Sequence, residues 1–353
     1  MNVKFMKRSM TLVLSLMLVL LTACGGGTTS GNVSNGDKPN SSDNAEPTKW
    51  DFAIFVGLTH PMGVLATDFA DEVREKTNGK LDITVRPAGE LPYKVDEFVR
   101  VTGDNSVQMS DPITFFIAGD LGAGALPNLP YLVENFDQLD ETMEVLKPYV
   151  EKDLSKFGTK MLYYYPWPPQ NLWGKGDLIS SLGDMKGTKI RSQSPEQSVF
   201  AEGLGGSPVS LVTAEVPAAV QRGMADAVIT AALNIEGSKW NDFLDWGYMI
   251  GLQTPPSYVI VNQQAYDSLP EDVRAVLDEV SNDYQGKVKQ RMQDIEEQSK
   301  KHLIDAGMKI VDAPQEEVKE MINQSIPYWT EWAKEKGPDA EEALQKVREK
   351  LNK

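Results

Sequence analysis

Cysteine and histidine are scarce in this sequence, which limits the chemistry that it can carry. The 353 residues include one cysteine and two histidines. His60 and His302 lie far apart in the chain, and no Cys or His cluster has metal-ligand spacing, so we predict no metal site and no cofactor. No serine lies in a nucleophile elbow, and the glycine-rich stretches match neither a dinucleotide-binding nor a phosphate-loop motif. The sequence therefore predicts a protein that is not an enzyme.

Basic residues are also fewer than acidic residues. Lys and Arg total 35 against 51 Asp and Glu, which gives a formal net charge of -16. Sequence-independent binding of nucleic acid needs a surplus of basic side chains to displace phosphate counterions, so we predict no nucleic-acid partner. An anionic small ligand is compatible with this charge, because salt screens exposed charges beyond ~8 to 10 Å and one local arginine can hold a carboxylate.

An uncharged run, Ser9–Ala23, follows three basic residues near the amino terminus. This is the pattern of a secretory signal peptide; the alternative is a transmembrane helix, but the apolar stretch is short for a span of ~20 residues. Its end, Leu21–Cys24, resembles the bacterial lipoprotein cleavage box. We predict that Cys24 is lipidated, the alternative being a buried thiol, and that two acyl chains anchor the protein stably.

Residues 25–49 are rich in Gly, Ser, Thr, Asn and Pro and contain no aromatic residue. Such a composition cannot nucleate a core and predicts a flexible linker. The mature protein is therefore expected to be extracytoplasmic, in the periplasm or on the outer face of the cell membrane, and attached to the membrane by its lipid anchor only.

The folded body begins with a strand–helix–strand pattern. Hydrophobic residues alternate from Trp50 to Val56 and again from Leu81 to Val85, which predicts two strands. Between them, hydrophobic residues recur every four positions from Leu65 to Val73, and Asn78-Gly79 provides a helix stop. This order predicts a βαβ unit with a right-handed crossover.

The second half repeats the pattern. Three short strands, 188–192, 208–212 and 226–230, alternate with helices that we expect Ser194 and Thr213 to cap. A βαβαβ order requires a parallel sheet with helices on its faces.

A long helical pattern and two proline-rich stretches indicate how the parts join. The pattern from Ser268 to Ala306 predicts a helix that crosses two lobes, with a bend permitted at Gly286. The chain is expected to change lobes within 163–173 and to return near 254–256. We predict an α/β fold of two lobes, each a mainly parallel sheet flanked by helices. The expected parts are a signal peptide over 1–23, the lipidated cysteine and linker over 24–49, lobe I over 50–167 and 257–300, and lobe II over 168–256 and 301–353 with the C-terminal helices.

Arg191 lies at the carboxyl end of a predicted parallel strand, directly before the helix capped by Ser194. Ligands of parallel α/β sheets bind at this end, where a helix N-terminus adds a positive field. A guanidinium in this position can grip a carboxylate with two hydrogen bonds. The alternative is an arginine in a surface or interlobe salt bridge.

Six segments occur in order along the body, namely Thr77–Leu81, Pro87–Leu91, Leu129–Leu132, Asp184–Arg191, Ala219–Asp226 and Asn262–Pro270. Together they resemble the DctP-type solute receptors of tripartite ATP-independent periplasmic (TRAP) transporters. The resemblance implies a periplasmic-binding-protein-like flytrap that closes on an organic acid and delivers it to integral-membrane TRAP permease subunits. It also implies that Arg191 holds the carboxylate of the ligand.

The sequence departs from the family pattern in two places. Asn171 stands where many members carry a second arginine, and Ala227–Thr230 stands where members often have Gly-Gln-Glu-Asn. Both changes remove groups that are used for polar substrates.

Each of the further candidates for ligand contact also has an alternative, purely structural role. Trp167 and Trp173, near Asn171, can stack on the ligand or pack the interlobe core. Thr230 ends its strand and can offer a hydroxyl to the ligand.

His60 follows the first strand and can line the wall of lobe I or belong to a plain loop. Asp111 follows another strand and can accept a hydrogen bond from the ligand or cap the next helix.

Three other functions remain as alternatives: a receptor for another class of importer, a secreted hydrolase, and an envelope adhesion module.

Overall fold

The computed structural model describes residues 46–353, so the predictions for the signal peptide, for Cys24 and for most of the linker lie outside the described residues. The strands are β1 (Thr48–Ala53), β2 (Leu81–Arg86), β3 (Met109–Ser110), β4 (Thr159–Pro166), β5 (Asn171–Gly174), β6 (Lys189–Ser192), β7 (Ser207–Ser210), β8 (Ala227–Thr230), β9 (Trp246–Met249), β10 (Pro256–Asn262) and β11 (Lys309–Asp312). The helices are α1 (Pro61–Lys76), α2 (Phe98–Gly103), α3 (Thr114–Ile117), α4 (Phe136–Ser155), α5 (Pro195–Gly203), α6 (Val216–Gln221), α7 (Ala232–Gly237), α8 (Gln263–Asp267), α9 (Glu271–Asp305), α10 (Gln315–Lys336) and α11 (Pro338–Leu351).

The strands form two sheets. The first has the order β2-β1-β3-β10-β4 and the second the order β11-β9-β5-β8-β6-β7. We call the parts of the molecule built on these sheets lobe I and lobe II. The chain leaves the first sheet after Pro166, enters the second at Asn171, and returns to the first at Pro256.

Both predicted parallel units are present. In lobe I, β1 pairs in parallel with β2, and in lobe II, β6 pairs in parallel with β7 and β8. The α/β class and the mainly parallel sheets are confirmed, and each sheet contains one strand that runs against the others. The antiparallel strands are β5 and β10, the first strand after each crossing between the lobes. A chain that enters a sheet from the other lobe has no crossover helix to reverse it, so it runs against its neighbours.

Helix caps explain the start of α5 better than the start of α6. The Ser194 hydroxyl accepts from the Gln197 N–H at 3.3 Å, as the sequence predicts. Thr213 does not cap a helix; it opens a 3₁₀ turn, Thr213–Glu215, that runs into α6 without a side-chain cap.

One helix joins the two lobes. Helix α9 is continuous over 35 residues and packs against α1 and β4 in lobe I and against α7 and β11 in lobe II. Among residues 46–353, no helix combines the length and the hydrophobicity that a membrane span requires.

The C-terminal helices were expected with lobe II, but α11 packs against α4 of lobe I. Helix α10 contacts both lobes: the Trp329 indole donates to the Pro130 carbonyl at 2.8 Å, and the Trp332 indole donates to Glu196 at 3.1 Å. Periodicity predicts that such helices are amphipathic, but not which apolar face they cover.

Glu296 attaches α9 to lobe II. Its buried carboxylate accepts the backbone N–H groups of Ala232 and Leu233, both at 3.0 Å, at the start of α7. Helix α7 directly follows β8, so this contact fixes the end of β8 relative to the helix that crosses both lobes.

We expect Glu296→Ala to lower the free energy of unfolding by about 2–4 kcal/mol, because it leaves two buried N–H donors without an acceptor. The matched control is Glu297→Ala, whose side chain is exposed on the same helix and should change stability by less than about 0.5 kcal/mol. Urea unfolding of both variants measures the difference. Equal effects would contradict the anchoring role.

Candidate functional site

A cavity of about 900 Å³ lies between the two lobes. Lobe I contributes several aromatic residues to its wall, and lobe II contributes residues at or after the ends of β6 and β7. Residues that line it include Phe55, Tyr93, Phe115 and Phe116 from lobe I, and Gln193, Leu211 and Val212 from lobe II. A mostly apolar cleft with a few polar groups is the usual form of a small-molecule site.

Arg191 lies near the carboxyl end of β6, and its side chain is fully buried. It does not itself line the cavity, but it donates to Leu211, which does. Its Nε donates to the Leu211 carbonyl at 3.0 Å and its Nη1 to the Ile229 carbonyl at 3.4 Å. The guanidinium carbon lies 5.7 Å from the centre of the Trp240 ring. Nη2 is buried without a hydrogen-bond partner among the described residues.

Within residues 46–353, no carboxylate forms an ion pair with Arg191. Burial lowers the pKa of its guanidinium to about 9, so the group stays cationic at pH 7. A buried charge without a counterion is costly, and a carboxylate is the group that compensates a guanidinium best. Arg191 is therefore a buried cation that an anionic group would compensate.

Gln193 is a site residue that the sequence analysis missed. It lines the cavity two residues after Arg191, and its amide donates to the Ile229 carbonyl and to the Gln170 side chain, both at 3.2 Å. Its place in the turn between β6 and α5, at the carboxyl end of the sheet, is the signal that could have found it.

Trp167 and His60 lie together behind the aromatic wall of lobe I. The Trp167 ring lies 5.4 Å from Phe55 and 5.9 Å from His60, measured between ring centres. His60 caps α1, and its Nδ1 accepts from the Met62 N–H at 3.1 Å. Burial lowers the pKa of His60 to about 4, so the ring is neutral at pH 7.

Asp111 lies at the end of β3 and is buried. Its Oδ2 accepts from the Tyr165 hydroxyl at 2.9 Å, and its Oδ1 has no hydrogen-bond partner among the described residues. Burial raises the pKa of this carboxyl to about 8. Its side chain does not cap α3, which has no side-chain cap.

Three of the predicted site residues have side chains that form hydrogen bonds within the protein. The Asn171 oxygen accepts from the N–H groups of Ile250 and Gly251, both at 2.9 Å, so it ties together the two chain segments that connect the lobes. Trp173 packs in the core of lobe II and donates to the Thr230 carbonyl at 2.9 Å. The Thr230 hydroxyl accepts from the Asn234 amide at 3.0 Å. The structure therefore gives all three a role in holding β5 and β8.

The sequence model of the DctP family, bacterial extracellular solute-binding protein family 7, matches residues 52–336. The chain belongs to this family. As a member of it, the protein is an extracytoplasmic solute receptor and not an enzyme, and the two-lobed fold is that of TRAP solute receptors.

Named relatives match this chain in sequence or in structure over most of its length. The C4-dicarboxylate-binding periplasmic protein DctP of Vibrio cholerae is 25% identical over 286 residues, which cover 80% of this chain and 86% of that protein. The protein of the same name from Rhodobacter capsulatus is 28% identical over 255 residues, 68% of this chain and 73% of that one. The structure of DctP6 from Bordetella pertussis, an extracytoplasmic solute receptor binding pyroglutamic acid, superposes with a TM-score of 0.80 at 26% identity, covering 86% of this chain and 100% of that one.

The low pKa of His60 predicts a pH-dependent contribution to stability. The pKa of His60 is ~6.5 in the unfolded chain and about 4 in the folded chain. Between these pH values the unfolded chain binds a proton that the folded chain does not bind, so stability falls as the pH falls. We expect the wild type to lose up to about 3 kcal/mol more between pH 7 and pH 4 than His60→Asn, which keeps a capping oxygen for α1. Urea unfolding at several pH values measures this. Parallel pH profiles of the two proteins would show that His60 is not the group responsible.

Proposed function

We propose that this receptor binds a small organic acid with one carboxylate, and that Arg191 holds that carboxylate. The observation that carries the proposal is the buried Nη2 of Arg191, which has no partner among the described residues although the other side of the guanidinium is held by backbone carbonyls. The ligand would compensate the charge and supply the missing acceptor.

The surroundings of the cavity support a single strong anion site. Arg86 and Lys94 are the basic residues that line the cavity, but Lys94 is exposed and Arg86 is paired with Asp51 and Glu90. Only Arg191 combines a cationic group with full burial and no ion pair among residues 46–353. A cation at an exposed rim contributes little compared with a desolvated one.

Pyroglutamate is the first ligand to test. It carries one carboxylate on a small ring, which suits a cavity with an aromatic wall and one buried cation. The ligand named for the Bordetella pertussis receptor DctP6 supports this choice.

We further propose that lipidation at Cys24 anchors the receptor to the membrane, and that the receptor delivers its ligand to integral-membrane TRAP permease subunits. The segment between Cys24 and the first described residue, Glu46, is polar and contains no aromatic residue, which suits a linker that lets the receptor reorient over a permease.

Arg191→Met tests the site. We expect affinity for the best organic acid to fall by roughly 10- to 100-fold or more, because hydrogen bonds to a charged group contribute about 1.5–3 kcal/mol. Stability without ligand should change little, because the variant also removes an uncompensated buried charge. A thermal-shift screen of organic acids identifies the ligand, since saturation at 100 times Kd adds about 2.7 kcal/mol, and calorimetry gives the affinities.

The matched control is Arg291→Met, on the exposed face of α9. It should bind like the wild type. If Arg191→Met binds the acid with unaltered affinity, the assignment of the carboxylate site is wrong.

Cys24→Ser tests the anchor. Because the chain has one cysteine, a radiolabelled or clickable fatty acid supplied to cells should label the wild type and leave the variant unlabelled. The variant should also leave the membrane fraction. Equal labelling of both proteins would rule out acylation at Cys24.

A further inference from the structure

Gln193 carries an unused hydrogen-bond acceptor at the cavity. The residue lies in the turn between β6 and α5, lines the cavity and is half-buried. Its Nε2 donates to the Ile229 carbonyl and to Gln170 Oε1, both at 3.2 Å. Its Oε1 has no hydrogen-bond partner among residues 46–353, and it is not one of the unpaired atoms that are sealed from solvent. This oxygen is therefore an accessible acceptor on a residue of the cavity wall.

Two backbone carbonyls fix which end of this amide faces the protein. A carbonyl oxygen can only accept, so the part of Gln193 that contacts Ile229 is the NH₂ group. Gln170 is oriented in the same way, because its Nε2 donates to the Pro168 carbonyl at 2.8 Å and leaves Oε1 as the acceptor for Gln193. A rotated Gln193 amide would place its oxygen against two other acceptors and lose both hydrogen bonds. The network therefore keeps Oε1 of Gln193 turned away from these partners.

The backbone of Gln193 is held as well. Its N–H donates to Gln197 Oε1 at 2.7 Å, and Gln197 lies in the first turn of α5, the helix that Ser194 caps. Hydrogen bonds thus fix both the backbone and the amide of Gln193 before a ligand binds. A group that is already held in place loses little conformational entropy on binding, so this acceptor is preorganised.

The Gln193 amide lies beside the guanidinium of Arg191. Arg191 Nη1 and Gln193 Nε2 donate to the same oxygen, the Ile229 carbonyl, at 3.4 and 3.2 Å respectively. A carboxylate held by Arg191 would therefore bring the adjoining part of the ligand close to Gln193. The group of the ligand that meets Oε1 is then the one next to the carboxylate.

A neutral acceptor suits an anionic ligand better than a charged one. Asp96 and Glu215 also line the cavity, but a carboxylate side chain at short range repels the carboxylate of the ligand. Glu215 is in addition used by the protein, since its Oε2 accepts from the Val212 N–H at 3.2 Å. The amide oxygen of Gln193 accepts a hydrogen bond without adding a negative charge.

We infer that Gln193 Oε1 accepts a hydrogen bond from an N–H or O–H group on the carbon next to the ligand's carboxylate, and so selects lactam and 2-hydroxy acids over acids without such a donor. This inference rests on the proposed function, because it takes the carboxylate to be held by Arg191. An analogue without the donor leaves the acceptor of the site unpaired, which is the basis of strong discrimination between similar ligands.

Two pairs of probes isolate the donor. Pyroglutamate and 5-oxotetrahydrofuran-2-carboxylate have the same ring, in which the second compound replaces the N–H group by oxygen. 2-Hydroxybutanoate and butanoate differ by one hydroxyl. For the full-length wild type, calorimetry should show at least one donor acid binding about tenfold or more tighter than its partner, as one hydrogen bond in a desolvated site allows.

Gln193→Met gives a second readout, because methionine has a similar length but only a weak acceptor. We expect affinity for the donor acid to fall about tenfold and affinity for its partner to change by less than about threefold, so that the preference disappears. The matched control is Gln108→Met, at a half-buried glutamine of lobe I that does not line the cavity. It should keep the preference of the wild type. Thermal unfolding without ligand checks that each variant folds.

The outcomes are distinguishable. If no organic acid binds in an Arg191-dependent manner, the proposed function fails. If organic acids bind through Arg191 but neither donor acid binds more tightly than its partner, only the inference about Gln193 is overturned. The same holds if Gln193→Met keeps the wild-type preference while it weakens the binding of both acids, because that is the result expected of a residue that only positions Arg191.

Discussion

The proposed site depends on one buried cation, Arg191, which has no ion-pair partner among residues 46–353. Removing a guanidinium from water costs several kcal/mol, and the contacts of Arg191 offset only part of that cost, since two backbone carbonyls and the face of Trp240 are its partners. The fold can hold such a group because β6 lies between β7 and β8, whose ends supply those carbonyls. In the proposed function, the carboxylate of the ligand offsets the remaining cost.

The hydrogen bond between Arg191 and Ile229 also links the proposed site to the helix that crosses both lobes. The Ile229 carbonyl that holds Arg191 lies in β8, and α7, which follows β8, is fixed to α9 by Glu296. Helix α9 continues into lobe I, whose aromatic wall forms the other side of the cavity. A ligand shifts a conformational equilibrium only by binding one state more tightly. In the proposed function, ligand contacts with both walls provide that difference, because they exist together only when the lobes are close.

Local signals in the sequence were sufficient for much of this architecture. Periodicity and capping predicted the unit β1–α1–β2 and the cap of α5 at Ser194, and the end of a strand before a capped helix indicated Arg191. The role of Asn171 could not be predicted from local signals, because the residues that donate to its side chain lie 79 and 80 positions further along the chain. The antiparallel strands β5 and β10 and the packing of α11 on α4 likewise depend on contacts between distant segments, which no local pattern encodes.

Burial acts in opposite ways on two ionisable groups of the molecule. It lowers the pKa of Arg191 only to about 9, so this guanidinium stays cationic at pH 7 although it has no counterion among the described residues. It raises the pKa of Asp111 to about 8, so this carboxyl is largely neutral at pH 7 and needs no counterion. An ionised Asp111 would add a negative charge to an interior where charges interact far more strongly than in water.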